Sequence, residues 1–189
     1  ACLPFVFVGK CKDFSFVDCE NRKLTKRMTN KLIEAGHRKI CFFNSNKNWM
    51  LTKDRHDGFF SALKGAGIPE TDCLEYQLDE NDNLATLFLE ACAKGYRAFV
   101  VESPNMVRVV YEYCKKNHLQ VGKDVSLVFL GYDPQFEFVT PSLVSARLSY
   151  EKLGEKALEL LEKLKVKSKP CEYYLDPEII DGDSVAKVK

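Results

Sequence analysis

The feature that most constrains this chain is a regular exchange, between residues 39 and 133, of short apolar runs for longer amphipathic stretches. Ile40–Phe43, Cys73–Leu78, Arg97–Val101 and Val125–Leu130 have strand length and are rich in β-branched and aromatic side chains. Between them, Lys53–Ala66, Leu84–Ala93 and Pro104–Asn117 repeat apolar residues at helical spacing, with Phe59, Ala62, Leu63 and Ala66 on one stripe and Leu84, Leu87, Phe88 and Ala91 on another. Nearly continuous apolar strands are buried on both faces, and helical crossovers keep successive strands parallel. The expected fold class is therefore α/β, an open, doubly wound parallel sheet with helices on both faces.

The flanks follow the same grammar less regularly. Pro4–Val8 reads as a strand closed by Gly9, Phe14–Val17 as a second short run, and Arg22–Ala35 as a helix with Leu24, Met28 and Leu32 inward and Gly36 as its stop. Past residue 133, Ser142–Leu148 reads extended. Glu151–Leu164 reads as a helix with Leu153, Ala157, Leu160, Leu161 and Leu164 on its inner face. Glu172–Leu175 and Glu178–Ile180 read as short strands.

Composition removes several classes of function. The 28 basic and 27 acidic residues give a net charge of +1 with no run of one sign, so this chain alone is not expected to bind DNA specifically. No apolar stretch exceeds strand length, which argues against a membrane partner, and no secretory signal opens the chain. The 8 cysteines are scattered without a C-x-x-C pair. His37 with Cys41, and Cys114 with His118, lack the second pair that a zinc site needs. Buried thiols in a reducing cytoplasm are the expectation. Gly65-Ala66-Gly67 follows a helix rather than a strand, Gly122-Lys123 lacks the upstream glycine of a phosphate loop, and no G-x-S-x-G elbow occurs. Neither catalytic machinery nor a cofactor or metal site is expected.

In open α/β sheets, ligands lie beyond the carboxyl ends of the strands. The sequence places Asn44, Asn46 and Trp49 after one strand, Asp79 and Asn81 after the next, Ser103 after the third and Asp133 after the fourth, with Arg55 opening the helix that follows the Trp49 loop. A guanidinium and a carboxylate bracket neighbouring hydroxyls, and aromatics cover the apolar face of a sugar or base. The competing reading makes Arg55 a surface ion-pair partner of Asp54 or Asp57.

Several ordered segments resemble the effector domain of the lactose/galactose-repressor (LacI/GalR) family. They are Phe16-Val17-Asp18 with Leu32-Ile33-Glu34-Ala35-Gly36-His37-Arg38-Lys39-Ile40, then Arg55-x-x-Gly58-Phe59-x-x-Ala62-Leu63-x-x-x-Gly67-Ile68. Gly122-Lys123-Asp124-Val125-Ser126-Leu127-Val128-Phe129-Leu130-Gly131-Tyr132-Asp133 is similar to that family's "P-E-D-V-S-V-V-G-F-D". Thr140-Pro141-x-Leu143 followed by Leu153-Gly154-x-x-Ala157 is similar to its "T-P-x-L-T-T … L-G-x-x-A". The order and spacing run over nearly the whole chain.

The resemblance implies a ligand site in which the sugar-contacting arginine is Arg55, the carboxylate after the last strand is Asp133, and the closing aromatic is Tyr150. Trp49 stands on the neighbouring loop. The family's Asn-Asp pair falls on Ser103-Pro104, leaving one hydroxyl. An aspartate and an arginine usual in the family fall on Gly9 and Gly182. The implied organisation is residues 1–18 as late strands of a first lobe, 19–139 as the C-terminal lobe, 140–168 as a returning strand and helix of the first lobe, and 169–189 as closing strands and tail. A DNA-binding head and most of the first lobe would precede a shortened start at Ala1.

The implied function is the small-molecule sensing domain of a cytoplasmic transcriptional regulator, responding to a sugar, sugar phosphate or nucleoside. Such a chain is a homodimer that touches DNA only through the head. The rivals are a transport-linked sugar-binding protein of the same fold and a small α/β enzyme. With the first lobe incomplete, the Leu153, Leu160 and Leu164 stripe is expected to lack its partner and to drive self-association.

Overall fold

The computed structural model describes residues 4–45, 50–164 and 170–188. The chain forms two compact units, one of residues 1–20 and 148–178, the other of residues 21–147 and 179–189.

The larger unit is built on four parallel strands: β3 (Ile40–Ser45), β4 (Leu74–Leu78), β5 (Ala98–Val101) and β6 (Ser126–Phe129), in the order β4-β3-β5-β6. Reversal of direction between the β3–β4 and β3–β5 steps is the doubly wound pattern expected from the sequence. The pleat sorts each strand between two helical layers. Cys41, Phe43, Phe99, Val101, Leu127 and Phe129 face helices α3 (Leu84–Ala93) and α4 (Pro104–Lys116), sharing a core with Phe88, Met106 and Val110. On the other face, Phe42 meets Phe59 of α2 (Met50–Gly65) with ring centroids 5.2 Å apart. Helix α1 (Asn21–Glu34) packs closely on α2, burying Leu24, Met28 and Leu32. That packing depends on Gly58, where an added Cβ would lie 2.3 Å from the Arg22 carbonyl oxygen. Ala66 of the expected α2 stripe is exposed, because the helix ends at Gly65.

The smaller unit holds β1 (Phe7–Val8), β2 (Phe16–Cys19) and β8 (Glu172–Leu175) in one parallel sheet, order β1-β2-β8, under helix α5 (Tyr150–Leu164). Two sequence expectations shrink here. Pro4–Val6 lies outside β1, and Phe14 falls in a bend before β2. A parallel return needs roughly a dozen residues, whereas residues 9–15 make this one, so pairing is limited to Phe7 with Phe16 and Val8 with Val17.

The expectation of an unpartnered leucine stripe is corrected. Leu153 and Leu160 are 3% and 9% exposed and pack with Val17, Tyr173 and Leu175 of their own unit. The exposed apolar groups among the described residues of this unit include instead Leu158 on α5, Val8, and the ring cluster Phe5, Phe7 and Phe14.

Residues 140–147 also sit elsewhere than expected: they belong to the larger unit. The Phe129 amide donates to the Val144 carbonyl at 2.9 Å and the Ala146 amide to the Gly131 carbonyl at 3.0 Å. Strand β7 (Ser145–Arg147) then pairs with β9 (Glu178–Ile180). Buried Ser184 locks the closing tail, accepting from the Val144 amide at 2.9 Å and donating to the Leu127 carbonyl at 2.6 Å. Cys41, Cys92 and Cys114 are buried, and burial pushes the Cys114 thiol up to about 11. Among the described residues, no helix is long and apolar enough to cross a membrane, and no cluster of side chains has the makings of a metal site.

Candidate functional site

The carboxyl ends of β3, β5 and β6 gather most of the polar groups that the sequence singles out. At the end of β3, Asn44 is wholly buried and structural. Its Nδ2 donates to the Thr52 carbonyl at 3.1 Å and to Glu75 Oε1 at 2.8 Å, tying the start of α2 to β4. The other Glu75 oxygen meets His56 Nδ1 at 2.5 Å. This network fixes the first turns of α2 and therefore the position of Arg55, one turn in.

Arg55 is not a surface residue. Its Nη1 donates to Glu102 Oε2, and the two side chains are only 14% and 15% exposed. Glu102 is the first residue beyond β5, so α2 reaches across to the middle of the sheet's carboxyl edge. Ser103 follows directly and caps α4, its Oγ accepting from the Asn105 amide at 3.2 Å. The Leu130 amide donates to the Val101 carbonyl at 2.8 Å, holding the end of β6 beside that of β5.

Asp133 lies three residues beyond Leu130 and caps a short 3-10 turn, Pro134–Phe136. Its Oδ1 accepts from the Gln135 amide at 2.9 Å and its Oδ2 from Gln135 Nε2 at 3.3 Å. Gln135 Oε1 in turn accepts from Arg108 Nη2 at 2.6 Å, so a guanidinium on α4 steadies the Asp133 turn at one remove. Beside it, Tyr132 donates to Glu137, which raises the phenol's pKa, and the Arg147 guanidinium lies over the Tyr132 ring at 5.1 Å.

Three of the five expected site residues thus belong to one edge of one sheet: Arg55 and Ser103 through the end of β5, and Asp133 on the neighbouring turn. Tyr150 opens α5 in the smaller unit and is 79% exposed. Trp49 lies outside the described residues, as does Asn46. Asp79 takes part in a turn, its amide donating to Asp82 Oδ2 at 2.8 Å. Reading the sequence missed Glu102 and Arg108. The first stands directly after an apolar strand, a position that points to the rim, but the family's Asn-Asp pair drew attention one residue further on.

An open parallel sheet with charged groups at its carboxyl edge is the arrangement in which α/β proteins seat small ligands. The chain belongs to the periplasmic binding protein-like domain family, whose profile matches residues 29–185. The probable HTH-type transcriptional regulator EndR of Paenibacillus polymyxa is 27% identical over 199 residues, covering 98% of this chain and 58% of the relative. The HTH-type transcriptional repressor PurR of Actinobacillus pleuropneumoniae is 29% identical over 171 residues, covering 83% of this chain and 49% of the relative. This chain therefore spans about half the length of the curated relatives it matches. Among solved structures, a LacI family transcriptional regulator from Enterococcus faecium with bound ribose superposes with a TM-score of 0.83 at 18% identity, covering 98% of this chain and 72% of that one. A transcriptional regulator CelR–cellobiose complex gives 0.79 at 22% identity, covering 96% and 58%.

Proposed function

We propose that this chain is the effector-sensing part of a DNA-binding transcriptional regulator and that its ligand is a sugar, sugar phosphate or nucleoside. The observation that carries the reading is the largely buried Arg55–Glu102 pair beside Ser103 and Asp133 at the carboxyl edge of the parallel sheet. A fork of guanidinium donors next to two carboxylates can serve a polyol's hydroxyls both as acceptors and as donors. Relatives captured with ribose and cellobiose support the ligand class.

In this reading Arg55, Glu102, Ser103 and Asp133 hold the ligand from the larger unit. Aromatic cover is assigned to Trp49, and no residue performs catalysis. The full-length protein is a cytoplasmic homodimer that contacts DNA through a segment outside this chain. The organisation assigned from the resemblance, with residues 19–139 as the ligand lobe, is extended here to residue 147. Ligand binding acts by favouring one arrangement of the full-length protein over another, which changes its affinity for DNA by the difference in ligand affinity between the two.

The test is binding of the full-length protein to duplex DNA from its own promoter region, with and without each member of a carbohydrate and nucleoside panel. A ligand that shifts duplex affinity in wild type but not in Arg55→Ala supports the proposal. Ligand turnover, or ligand binding with no duplex binding at all, contradicts it in favour of the enzyme or the transport-linked reading.

A further inference from the structure

The larger unit has a recess at the amino ends of its strands, and so at the opposite end of the sheet from the site above. Its volume is about 760 Å³, within the range of small-ligand pockets. Arg38 and Lys39 precede β3, Arg97 precedes β5, Lys123 precedes β6, and Lys187 comes from the closing tail; all five line it, and among the described lining residues Asp124 carries the one carboxylate. That carboxylate already accepts from the Gln120 amide at 2.8 Å. In a chain whose net charge is +1, this is a local concentration of positive charge.

Three of the cations are held in place by neutral partners. Arg38 Nη1 donates to the Ile33 and His37 carbonyls at 2.9 and 3.0 Å, and Lys39 Nζ to the Lys94 carbonyl at 2.5 Å. Arg97 Nη1 donates to the Cys92 and Tyr96 carbonyls at 2.9 and 2.7 Å. These bonds cap the ends of α1 and α3 and fix the side chains without neutralising them. Among the described residues none of the five pairs with a carboxylate, and Lys123 and Lys187 have no side-chain partner. Helix capping explains Arg38, Lys39 and Arg97; it explains neither of these two lysines nor the recess that they border.

We infer that this recess binds a small, free polyanion carrying two phosphoryl groups, at a site separate from the carboxyl-edge site. Positioned cations that meet no internal counter-charge lose little freedom when they take an anion. The volume exceeds what one phosphate fills. The cations surround a single recess rather than forming the extended track that a nucleic acid backbone needs. His37 stands in the wall, its Nε2 at 2.8 Å from Ser126 Oγ and 3.1 Å from the Ala186 carbonyl oxygen. Burial holds its pKa below the ordinary value, so an anion seated nearby should raise it.

The experiment is titration calorimetry of this chain at low salt with pyrophosphate, inorganic phosphate and a short DNA duplex. In parallel, the His37 ring proton is followed by NMR, which only 3 histidines make practical. The expected result is one-site pyrophosphate binding tighter than that of phosphate, weakened by salt, with the His37 titration moved upward. Lys123→Gln with Lys187→Gln, both exposed positions, should weaken it about tenfold, and Arg55→Ala should leave it unchanged. The inference is overturned by absence of saturable binding, by equal affinity for phosphate, by tighter binding of the duplex, or by an affinity that follows Arg55 rather than the two lysines.

Discussion

Glu102→Gln should destabilise the larger unit out of proportion to the size of the change. The substitution keeps the shape of the side chain and removes the charge that faces the Arg55 guanidinium, in a place where both side chains are about one-seventh exposed. Two unit charges about 4 Å apart attract by roughly 4 kcal/mol at an effective dielectric constant of about 20. Desolvation and side-chain ordering offset most of that. Exposed pairs are worth about 0–1 kcal/mol, while breaking a fully buried pair costs about 3–5 kcal/mol. The intermediate burial here places the loss at roughly 1–3 kcal/mol. The assay is urea unfolding followed by circular dichroism for wild type, Glu102→Gln, Arg55→Met and the double variant. The double variant should lose less than the sum of the singles, with a coupling of about 1–2 kcal/mol. Strict additivity, with each single variant within about 0.5 kcal/mol of wild type, would refute the pair and return Arg55 to the surface.

Gly58→Ala should cost about 1–3 kcal/mol, because its Cβ would meet the Arg22 carbonyl at 2.3 Å and force α1 away from α2; a urea midpoint equal to wild type would contradict this. Stability should fall as the pH drops below 6.5, since His37 in the denatured chain takes up a proton at that ordinary value while the folded chain, with its depressed pKa, resists. Thermal melts across that window should show the slope flattened in His37→Gln; an unaltered slope assigns it to other groups. Thiol labelling of the native chain should modify exposed Cys171 early and Cys114 only on unfolding, because that thiol is 2% exposed and pushed up to about 11. Early labelling of Cys114 would mean that α4 is not seated as described.

The core of the fold was legible because its strands are buried on both faces. Runs such as Ile40–Phe43 and Arg97–Val101 need no partner to be recognised, and Pro104 and Gly36 mark helix ends by backbone restriction alone. What misled was whatever depends on neighbours. Pro4–Val8 has the composition of a strand, but its pairing length is set by the short connection to β2. The Leu153–Leu160 stripe announces burial without saying against what, and its partner lies in β2 and β8, on either side of it in sequence. Residues 142–147 read as extended, yet their unit is decided by hydrogen bonds to Phe129, Gly131 and the tail.

The site divides in the same way. The strand-end rule placed Ser103 and Asp133 correctly on the rim, since only the order of the elements is needed for that. It could not show that Arg55 reaches past its own loop to Glu102, because the crossing of α2 over the sheet is a packing result.

The central proposal, that the carboxyl edge of the larger unit holds a polyhydroxylated effector, is tested most directly by calorimetric titration of the full-length protein. The best ligand from a carbohydrate and nucleoside panel is compared between wild type, Arg55→Ala and Asp133→Ala. Losing one charge-assisted partner costs roughly 1.5–3 kcal/mol, so each variant should bind about tenfold to a hundredfold more weakly. Unchanged affinity in both variants would contradict the assignment and leave the Arg55–Glu102 pair as a structural tie between α2 and the sheet.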